Sequence, residues 1–386
     1  MDDSPIGYSR EYWKILAAAS AEKGFRLNYI HREERRGYRG GAVKRGLESA
    51  RGEYVVVMDV DHVPLPHMLD EMVSVAEANP GLDVVVFPQH FPEGGNVVEE
   101  ASRMGYAFDY LFSRKGKSVT NSAFCVGTNW IARRERILGA GGYDDATIVE
   151  DAATSLKLWH PNGVKLGFAE ALLAVGASPS SLQAWRLQQY RWSQGAFRLL
   201  PDLLAAARRL SIPQALDYLY LVAWYLVGPA TLASSTFPLL VALGARLLRV
   251  ESPSAYLWVV ALTLAQPLLS ASPLLLEGAS ASKVFKCQAM GLLVADVYTR
   301  AALDALLGRR AGFKVTPKAA PGSGTPGVDA GALLAPLALA VANAAAAILS
   351  YARGSLFLAV TLWALYNLAW IAAALAAYLG DQGRSA

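Results

Sequence analysis

The sequence predicts an α/β domain with a Rossmann-like mixed sheet, followed by an α-helical transmembrane region. Strand-like and helix-like stretches alternate over residues 1–90, which is typical of an α/β sheet. Of the 386 residues, 53% are hydrophobic and only 18% are charged, which is too apolar for an ordinary soluble protein of this length. Most of the charge lies before about residue 210 and long apolar runs follow from about residue 217, so we expect a globular part and a membrane part.

Charge and cysteine content narrow the class of protein. The net charge of +4 is a mild basic excess, and the basic residues cluster beside apolar segments, as expected near a membrane. We therefore expect no nucleic-acid partner. The two cysteines, Cys125 and Cys287, lie one in each half and give no disulfide framework, which fits a reducing compartment. The first residues show no signal-peptide pattern.

The domain is organised around residues 54–64, which read YVVVMDVDHVP. Residues 54–58 are β-formers and suit a strand buried on both faces of a parallel sheet, at whose carboxyl end ligands bind. Asp59 and Asp61 would then point the same way, because alternate residues of an extended segment share a face. Paired carboxylates there suit Mg²⁺ or Mn²⁺ that bridges phosphate oxygens. The alternative is a strand followed by a polar turn, with Pro64 as its breaker.

Helices and strands flank this stretch in alternation. The predicted elements are a helix over 11–23, a strand over 25–31, a helix that opens at 37–42 and runs to about 50, a helix over 66–79, a strand over 82–87, and helices over 150–159 and 181–200. Gly37, Gly40 and Gly41 stand where the second helix opens, and glycines at a helix N-terminus let a phosphate approach backbone N–H groups. Arg39 would add positive charge there.

The two later helices carry polar side chains at defined places. Glu150 and Asp151 stand in the first turn of the helix over 150–159, where acids also favour the helix dipole. Gln188, Arg191 and Trp192 share one face of the next helix, since they are three and four residues apart. An amide, a guanidinium and an indole on one face suit a sugar, by hydrogen bonding and by stacking. The alternative is an interfacial helix at the lipid headgroups, and both interpretations can hold together.

Apolar runs long enough to span a bilayer occupy about 217–245, 254–276, 331–351 and 355–379. The long segment between the two pairs is rich in Lys and Arg, so the positive-inside rule makes it cytoplasmic. Four spans then place the N-terminal domain on the same side, in a multi-pass protein of the plasma membrane. The predicted domains are 1–210, a first transmembrane pair over 211–276, a cytoplasmic segment over 277–330 with an amphipathic stretch at 281–307, and a second pair with a tail over 331–386.

Three further short motifs occur in addition to the three described above. The chain begins with Asp2-Asp3-Ser4, residues 124–129 read FCVGTN, and residues 313–318 read FKVTPK. The others in the series are DVDH at 59–62, VED at 149–151 and QQYRW at 188–192. In this order the motifs resemble those of the cellulose synthase group of family 2 glycosyltransferases, which are processive membrane enzymes. The resemblance covers nearly the whole chain.

The resemblance implies a GT-A-like fold and an inverting hexosyltransferase that depends on a UDP-sugar. The enzyme would transfer a sugar, by expectation glucose, to the 4-hydroxyl of a growing β-1,4-glycan and would export the polymer through the membrane. The implied partners are the UDP-sugar, the growing polysaccharide, the lipid bilayer and accessory membrane subunits.

The resemblance also implies a role for each motif. Asp151 is the implied catalytic base beside Glu150, and Asp59 and Asp61 hold the divalent ion that stabilises the leaving diphosphate. The residues implied in substrate binding are Asp2 and Asp3 near the uridine, Arg39 and Asp59 near the phosphates, Cys125 near the acceptor end, Gln188 and Arg191 at the diphosphate or its neighbours, Trp192 at the terminal sugar, and Phe313, Thr316 and Lys318 in a gating loop over the nucleotide.

Three alternatives stay open at this stage. They are a synthase of another β-glycan (mannan, chitin or hyaluronan), a non-processive lipid-phosphate glycosyltransferase, and an inactive membrane partner subunit. The family's first strand and uridine-binding loop precede its Asp motif and are absent before Asp2, so we expect that the chain lacks its native beginning. Val149 replaces the family's Thr, and Arg39 replaces its Lys, which keeps the charge and changes the geometry.

Overall fold

The computed structural model describes residues 2–3, 6–93, 95–245, 253–309, 327–354 and 358–382. The strands are β1 (Tyr54–Val57), β2 (His62–Pro64), β3 (Val84–Val86), β4 (Trp130–Arg133), β5 (Leu166–Phe168) and β6 (Ala174–Gly176). The helices of the α/β part are α1 (Ile6–Lys23), α2 (Tyr38–Ser49), α3 (Met68–Ala78), α4 (Val97–Phe108), α5 (Lys115–Val119), α6 (Arg134–Gly139), α7 (Glu150–Thr154), α8 (Leu182–Arg198) and α9 (Leu200–Ala206). The later helices are α10 (Ile212–Trp224), α11 (Val227–Ala242), α12 (Pro253–Leu276), α13 (Ala281–Met290), α14 (Ala295–Leu306), α15 (Ala330–Ala352) and α16 (Leu358–Gln382).

Four strands form a mixed sheet in the order β1-β4-β3-β5, and β2 pairs with β6 beside it. In the mixed sheet β4 is antiparallel to both neighbours, whereas β3 and β5 are parallel. The expectation that β1 lies in a parallel sheet, buried on both faces, is wrong. Its partner in the described part of the chain is the antiparallel β4, and of its four residues only Val55 is buried. A short apolar run predicts that a strand is at least partly buried, but it does not predict the direction in which the strand pairs.

The strand β4 divides the core into two layers. Trp130 and Ala132 pack on one face of the sheet and Ile131 on the other, because alternate residues of a strand face opposite sides. On the first face, the Trp130 ring lies 6.1 Å from Tyr143 and 5.8 Å from Trp159 between centroids. All three rings are buried, and each such side chain contributes roughly 1.5–3 kcal/mol when it leaves water. This packing holds the segment that leads into α7 against the sheet.

The beginning of the chain differs from its predicted structure. The predicted strand over 25–31 is wrong, because the structure has there only an isolated parallel bridge between Asp2 and His31. The helix α1 begins at Ile6, earlier than predicted, and Tyr8, Trp13 and Ile15 are exposed on it. The predicted helices at 37–50 and 66–79 and the strand at 82–87 are confirmed as α2, α3 and β3.

Two of the described helices, α15 and α16, are long and apolar enough to span a membrane, with mean hydropathies of 2.2 and 1.7. A third span is present if α10 and α11 count as one, because the two together meet the same criteria across a bend of 44°. The bend lies at Tyr225 and Leu226, just before the Gly228-Pro229 pair that ends the first turn of α11. In α12, residues 261–276 form a shorter apolar helix. The arrangement of four spans stays a prediction.

The predicted amphipathic stretch at 281–307 forms α13, a 3₁₀ turn and α14. These helices are packed inside the protein, α13 against α4 and α16, and α14 against α8 and α11. Met290, Leu293 and Val294 between them are buried. Through this layer the α/β part and the apolar helices share one hydrophobic cluster, which includes Trp185 of α8 and Tyr378 of α16.

Candidate active site

Arg39, in the first turn of α2, joins three separate motifs. Its Nε donates to Asp59 Oδ1 at 2.8 Å, and its Nη1 donates to Glu150 Oε1 at 2.8 Å. Its Nη2 donates to the carbonyl oxygen of Gly127. One guanidinium therefore fixes the turn after β1, the loop before β4 and the start of α7 relative to one another, because its donors form a rigid planar fork.

Glycines let the first turn of α2 approach the other elements closely. Gly37 precedes the helix with a φ of 72°, which L side chains rarely adopt. A Cβ atom at Gly40 would lie 2.3 Å from the carbonyl oxygen of Asp144, so any larger residue would push α2 away from the segment before α7. The predicted glycine-rich helix start is thus present, and it serves to bring Arg39 to Glu150.

Asp59 and Asp61 lie in a turn and not in an extended segment, so the prediction that they share a strand face is wrong. The turn is closed by His62 N–H, which donates to the Asp59 carbonyl oxygen at 3.1 Å. The Asp59 N–H donates to Thr128 Oγ1 at 2.9 Å, and His62 Nδ1 lies 3.0 Å from Asp61 Oδ1. The two carboxylate side chains are 36% and 35% exposed, so the turn leaves both partly open to solvent.

The donor set decides which kind of metal site these carboxylates suit. The described residues contain no group of three or more His, Cys, Asp or Glu side chains that could hold an ion alone. One oxygen of Asp59 is already paired with Arg39. Two partly exposed carboxylates fit an ion such as Mg²⁺, which keeps several waters and binds through one or two carboxylates plus substrate phosphates.

Glu150 and Asp151 are the first two residues of α7, and their surroundings favour proton binding. Burial is the largest cause that raises the pKa of both carboxyls, and Asp151 raises the pKa of Glu150 further. The charges of Arg39 and Arg114 and the Ala152 N–H, which donates to Asp151 Oδ1 at 2.7 Å, oppose the shift of Asp151. A carboxylate with a raised pKa suits a general base.

The helix α8 presents the predicted sugar-binding face to this site. Gln188 is buried, its Nε2 lies 3.5 Å from the hydroxyl of Tyr106, and its Oε1 has no hydrogen-bond partner. The Trp192 ring stands edge-on to Tyr106 at 5.8 Å, and Tyr106 packs on Phe91 at 4.4 Å between centroids. Burial lowers the pKa of Arg191, and the negative charge of Glu150 opposes this shift without cancelling it. The structure thus brings the QQYRW motif at 188–192 beside the VED motif at 149–151.

Some residues of the site belong to no sequence motif. Tyr106 joins Gln188 and Trp192, and the charges of Asp59 and Asp61 act on its hydroxyl. Arg114 is buried in a π-helical stretch and donates to the Phe124 carbonyl oxygen at 2.9 Å, in the segment that leads to Gly127. A single sequence gives no signal for Tyr106, because an aromatic residue on an amphipathic helix is usual in a core.

Other predicted substrate-binding residues lie elsewhere or outside the described residues. Cys125 has no exposed surface, packs in the core under the sheet, and has a thiol pKa that burial raises. Its side chain therefore has no surface in this structure with which to contact a substrate. Phe313, Thr316 and Lys318 of the predicted gating loop lie outside the described residues.

The first acid pair is connected to the site through Arg32. Arg32 Nε donates to Asp3 Oδ1 at 2.7 Å, and Arg32 Nη2 donates to the carbonyl oxygen of Tyr38, the residue before Arg39. The Asp2 carboxylate accepts a hydrogen bond from the hydroxyl of Tyr29. Asp2 and Asp3 are thus tied to the start of α2.

A sequence model of the family described as "Glycosyl transferase family group 2" matches residues 54–271, which is more than half of the chain. Among curated proteins, glucomannan 4-beta-mannosyltransferase 2 of Arabidopsis thaliana is 30% identical over 209 residues, which cover 53% of this chain and 39% of that protein. Cellulose synthase 2 of Novacetimonas hansenii is 29% identical over 201 residues, 48% of this chain and 12% of that protein. The chain therefore spans less than half the length of these relatives.

Among solved structures, the chain is similar to the mannosyltransferase PcManGT from Pyrobaculum calidifontis, determined in complex with GDP-Man and Mn²⁺. The two share 17% identity with a TM-score of 0.50, and the match covers 77% of this chain and 74% of the other. At this identity the similarity concerns the fold, and it confirms the expected GT-A-like architecture with a mixed sheet.

Proposed function

The chain belongs to the glycosyltransferase family 2 group, and from that premise we propose that it extends a β-1,4-linked glycan by inverting transfer of a hexose from a nucleotide sugar. From the sequence we expected glucose from a UDP-sugar. Mannose is a second candidate, because the relatives include a glucomannan 4-beta-mannosyltransferase as well as a cellulose synthase. The assay described below decides between the two donors.

The observation that carries this proposal is the Arg39 cluster. It joins Asp59 of the acidic turn to Glu150, and Glu150 is followed directly by Asp151. Arg39 thus links partly exposed carboxylates, which suit a metal–diphosphate group, to the segment that carries a carboxyl with a raised pKa. An inverting transfer needs both groups, since the leaving group and the attacking hydroxyl lie on opposite faces of the sugar ring.

The proposed chemistry forms one glycosidic bond and breaks one sugar–phosphate bond. The 4-hydroxyl oxygen of the acceptor attacks the anomeric carbon, and the electron pair of the broken bond leaves with the nucleoside diphosphate. The hydroxyl proton passes to the carboxylate of Asp151 as general base. Arg39 keeps Glu150 in place beside it. We assign the face formed by Gln188, Arg191 and Trp192 to the acceptor, in place of the diphosphate role that the resemblance implied for Gln188 and Arg191.

A divalent ion, Mg²⁺ or Mn²⁺, would be held by Asp59 and Asp61 together with the diphosphate. Such an ion supplies positive charge to the departing phosphate oxygens. The Mn²⁺ and GDP-Man bound to the structurally similar mannosyltransferase support this cofactor class. The lipid bilayer, export of the polymer, accessory subunits and a gating role for residues 313–318 belong to the same proposal, and the apolar helices α15 and α16 support its membrane part.

The test uses membranes that contain the full chain, with radiolabelled UDP-glucose or GDP-mannose supplied one at a time. The labelled product is then digested with an endo-β-1,4-glucanase or an endo-β-1,4-mannanase. We expect polymer from one donor, sensitive to the matching enzyme and absent with the Asp151→Asn variant. Labelled material that resists both enzymes, or label that is found in lipid and not in polymer, would contradict the proposal.

A further inference from the structure

The helix α8 is held on a second side by α14. Gln189 and Tyr190 stand between the Gln and the Arg of the QxxRW motif and contact α14. The hydroxyl of Tyr298 donates to Gln189 Oε1 at 2.7 Å, and the hydroxyl of Tyr190 donates to Asp304 Oδ2 at 2.7 Å. The other residues of the motif, Gln188, Arg191 and Trp192, form what we call the acceptor face.

A charged pair adds to these contacts one turn earlier on α8. Arg186 donates through two nitrogens to the two oxygens of Asp296, at 2.8 and 2.6 Å. Three polar contacts thus connect α14 to Arg186, Gln189 and Tyr190, which lie on one face of α8 because they are three and four residues apart. Together they fix both the position of α8 along its axis and its rotation about that axis.

Unlike the other residues of α14 that contact α8, Tyr298 also packs against the bend between α10 and α11. Its ring lies 5.2 Å from the ring of Tyr225, which stands between α10 and α11. A Cβ atom at Gly228 would lie 2.5 Å from Tyr298 Cβ and 2.6 Å from the carbonyl oxygen of Ala295. The two helices therefore cross at a place that only glycine allows. Tyr298 is 8% exposed, so both contacts are shielded from water.

The rotation of α8 decides where the acceptor face points. Trp192 and Gln188 belong to the same rigid helix as Gln189, so a contact that fixes Gln189 also fixes the indole and the amide relative to Tyr106. A glycan is held by stacking and by several weak hydrogen bonds, whose combined strength falls when one partner is misaligned. The diphosphate end depends on Arg39 and the turn after β1, whereas the helices against which α14 packs most extensively are α8 and α11.

We propose that Tyr298 is a positioning residue that ties the bend between α10 and α11 to the acceptor face of α8. It thereby sets how firmly the protein holds a β-1,4-glycan, without contacting the sugar itself. The identity of the glycan rests on the proposed function. The mechanical link rests on the contacts of Tyr298 with Gln189, Tyr225 and Gly228.

The experiment measures binding with the full chain in detergent micelles, by calorimetry, for cellohexaose, mannohexaose, UDP and GDP. The Tyr298→Phe variant keeps the ring on Tyr225 and loses only the hydrogen bond to Gln189. We expect hexaose binding to weaken by about two- to tenfold, as for the loss of one hydrogen bond, and nucleotide binding to stay unchanged.

The matched control is Tyr378→Phe. Tyr378 is buried in the same hydrophobic cluster, and its hydroxyl accepts a hydrogen bond from the Asp329 N–H at 3.1 Å at the start of α15. This control should leave both affinities unchanged. In a Gln189→Met background, Tyr298→Phe should cause no further loss, because the partner of the hydroxyl is already gone.

The outcomes separate this inference from the proposed function. An unchanged hexaose affinity in Tyr298→Phe would overturn the inference, and so would an equal loss for hexaose and nucleotide, which would indicate a general loosening of the fold. A parent chain that binds neither hexaose would overturn it too. If hexaose binding responds as expected while no donor yields polymer, the positioning role stands and the synthase function fails.

Discussion

The Arg39 cluster and the contacts among the apolar helices solve the same physical problem in different ways. A buried polar group must find a partner, since an unsatisfied one costs free energy. Around Arg39 the partners are ions: one guanidinium faces Asp59 and Glu150. Between α11, α15 and α16 they are neutral: Asn367 donates to the Ser234 carbonyl oxygen at 3.1 Å and to Asn343 Oδ1 at 3.1 Å.

The helix α11 shows why amides are needed in the second region. Pro238 has no N–H, so the Ser234 carbonyl four residues earlier lacks its helical donor, and Asn367 of α16 supplies one. Asn343 of α15 donates to the Ser235 carbonyl oxygen at 2.8 Å beside it. Neutral amides donate hydrogen bonds to these carbonyl oxygens. They bring no charge into the apolar bundle, where a charge would be costly. The ionic region can change its protonation state and the amide region cannot, so chemistry belongs to the first.

The largest expected effect concerns Asp151, the proposed general base next to Glu150. Asp151→Asn keeps nearly the same shape and cannot accept a proton, so polymer formation should fall by about 10²–10⁴-fold while nucleotide binding survives. Initial rates with labelled donor and calorimetry with the nucleotide measure the two quantities. The exposed Asp70→Asn on α3 is the matched control and should behave as the parent. Parent-like polymer output from Asp151→Asn would remove this residue from the mechanism.

Removal of the divalent ion should have the next largest effect. Excess EDTA, or the variant Asp61→Ala, should lower transfer by roughly two orders of magnitude, because the leaving diphosphate loses its compensating charge. Titration of Mg²⁺ or Mn²⁺ into the chelated parent should restore the rate, whereas Asp61→Ala should need far more metal. Undiminished turnover in EDTA would show that Arg39 and its neighbours stabilise the leaving group without an ion.

The ionic region should also respond to pH. Burial raises the pKa of Asp151 and Glu150, so in the folded state they keep protons to higher pH than in the unfolded chain. The free energy of unfolding should therefore fall as pH rises from the usual carboxyl range through the raised pKa, while the transfer rate rises over the same window. Denaturation in micelles between about pH 4 and pH 8 measures the slope. Glu150→Gln should flatten it, and an equal slope in this variant would assign the titration to other groups.

The smallest expected effect is in the amide region. Asn367→Leu leaves the Ser234 carbonyl without a donor and should lower the free energy of unfolding by about 1 kcal/mol, without a pH dependence. In a Pro238→Ala background the backbone N–H returns, so the same substitution should cost less. Unfolding of the parent, the two single variants and the double variant in mixed micelles gives the coupling energy. Equal costs in both backgrounds would mean that Asn367 does not replace the donor missing at Pro238.

The sequence by itself determined the parts of this protein that depend on local pattern. Residues 37–50 form a helix with Arg39 in its first turn, residues 82–87 contain a strand, and Gln188 and Trp192 share a helix face, all as predicted. These features follow from glycine placement, apolar runs and helical spacing, which involve neighbours along the chain. The α/β class followed from the order of such elements, and the GT-A-like fold from the resemblance that the motifs carry.

Only the tertiary structure decided which distant groups meet. The strand β1 pairs antiparallel with β4, and Arg39 reaches Glu150 across 111 residues. Cys125 is turned into the core, and Tyr298 of the predicted amphipathic stretch connects Gln189 to a bend in α10–α11. The physical reason is that periodicity reports how much of a side chain is buried and not what buries it. Partners across a hundred residues are chosen by the packing of whole elements.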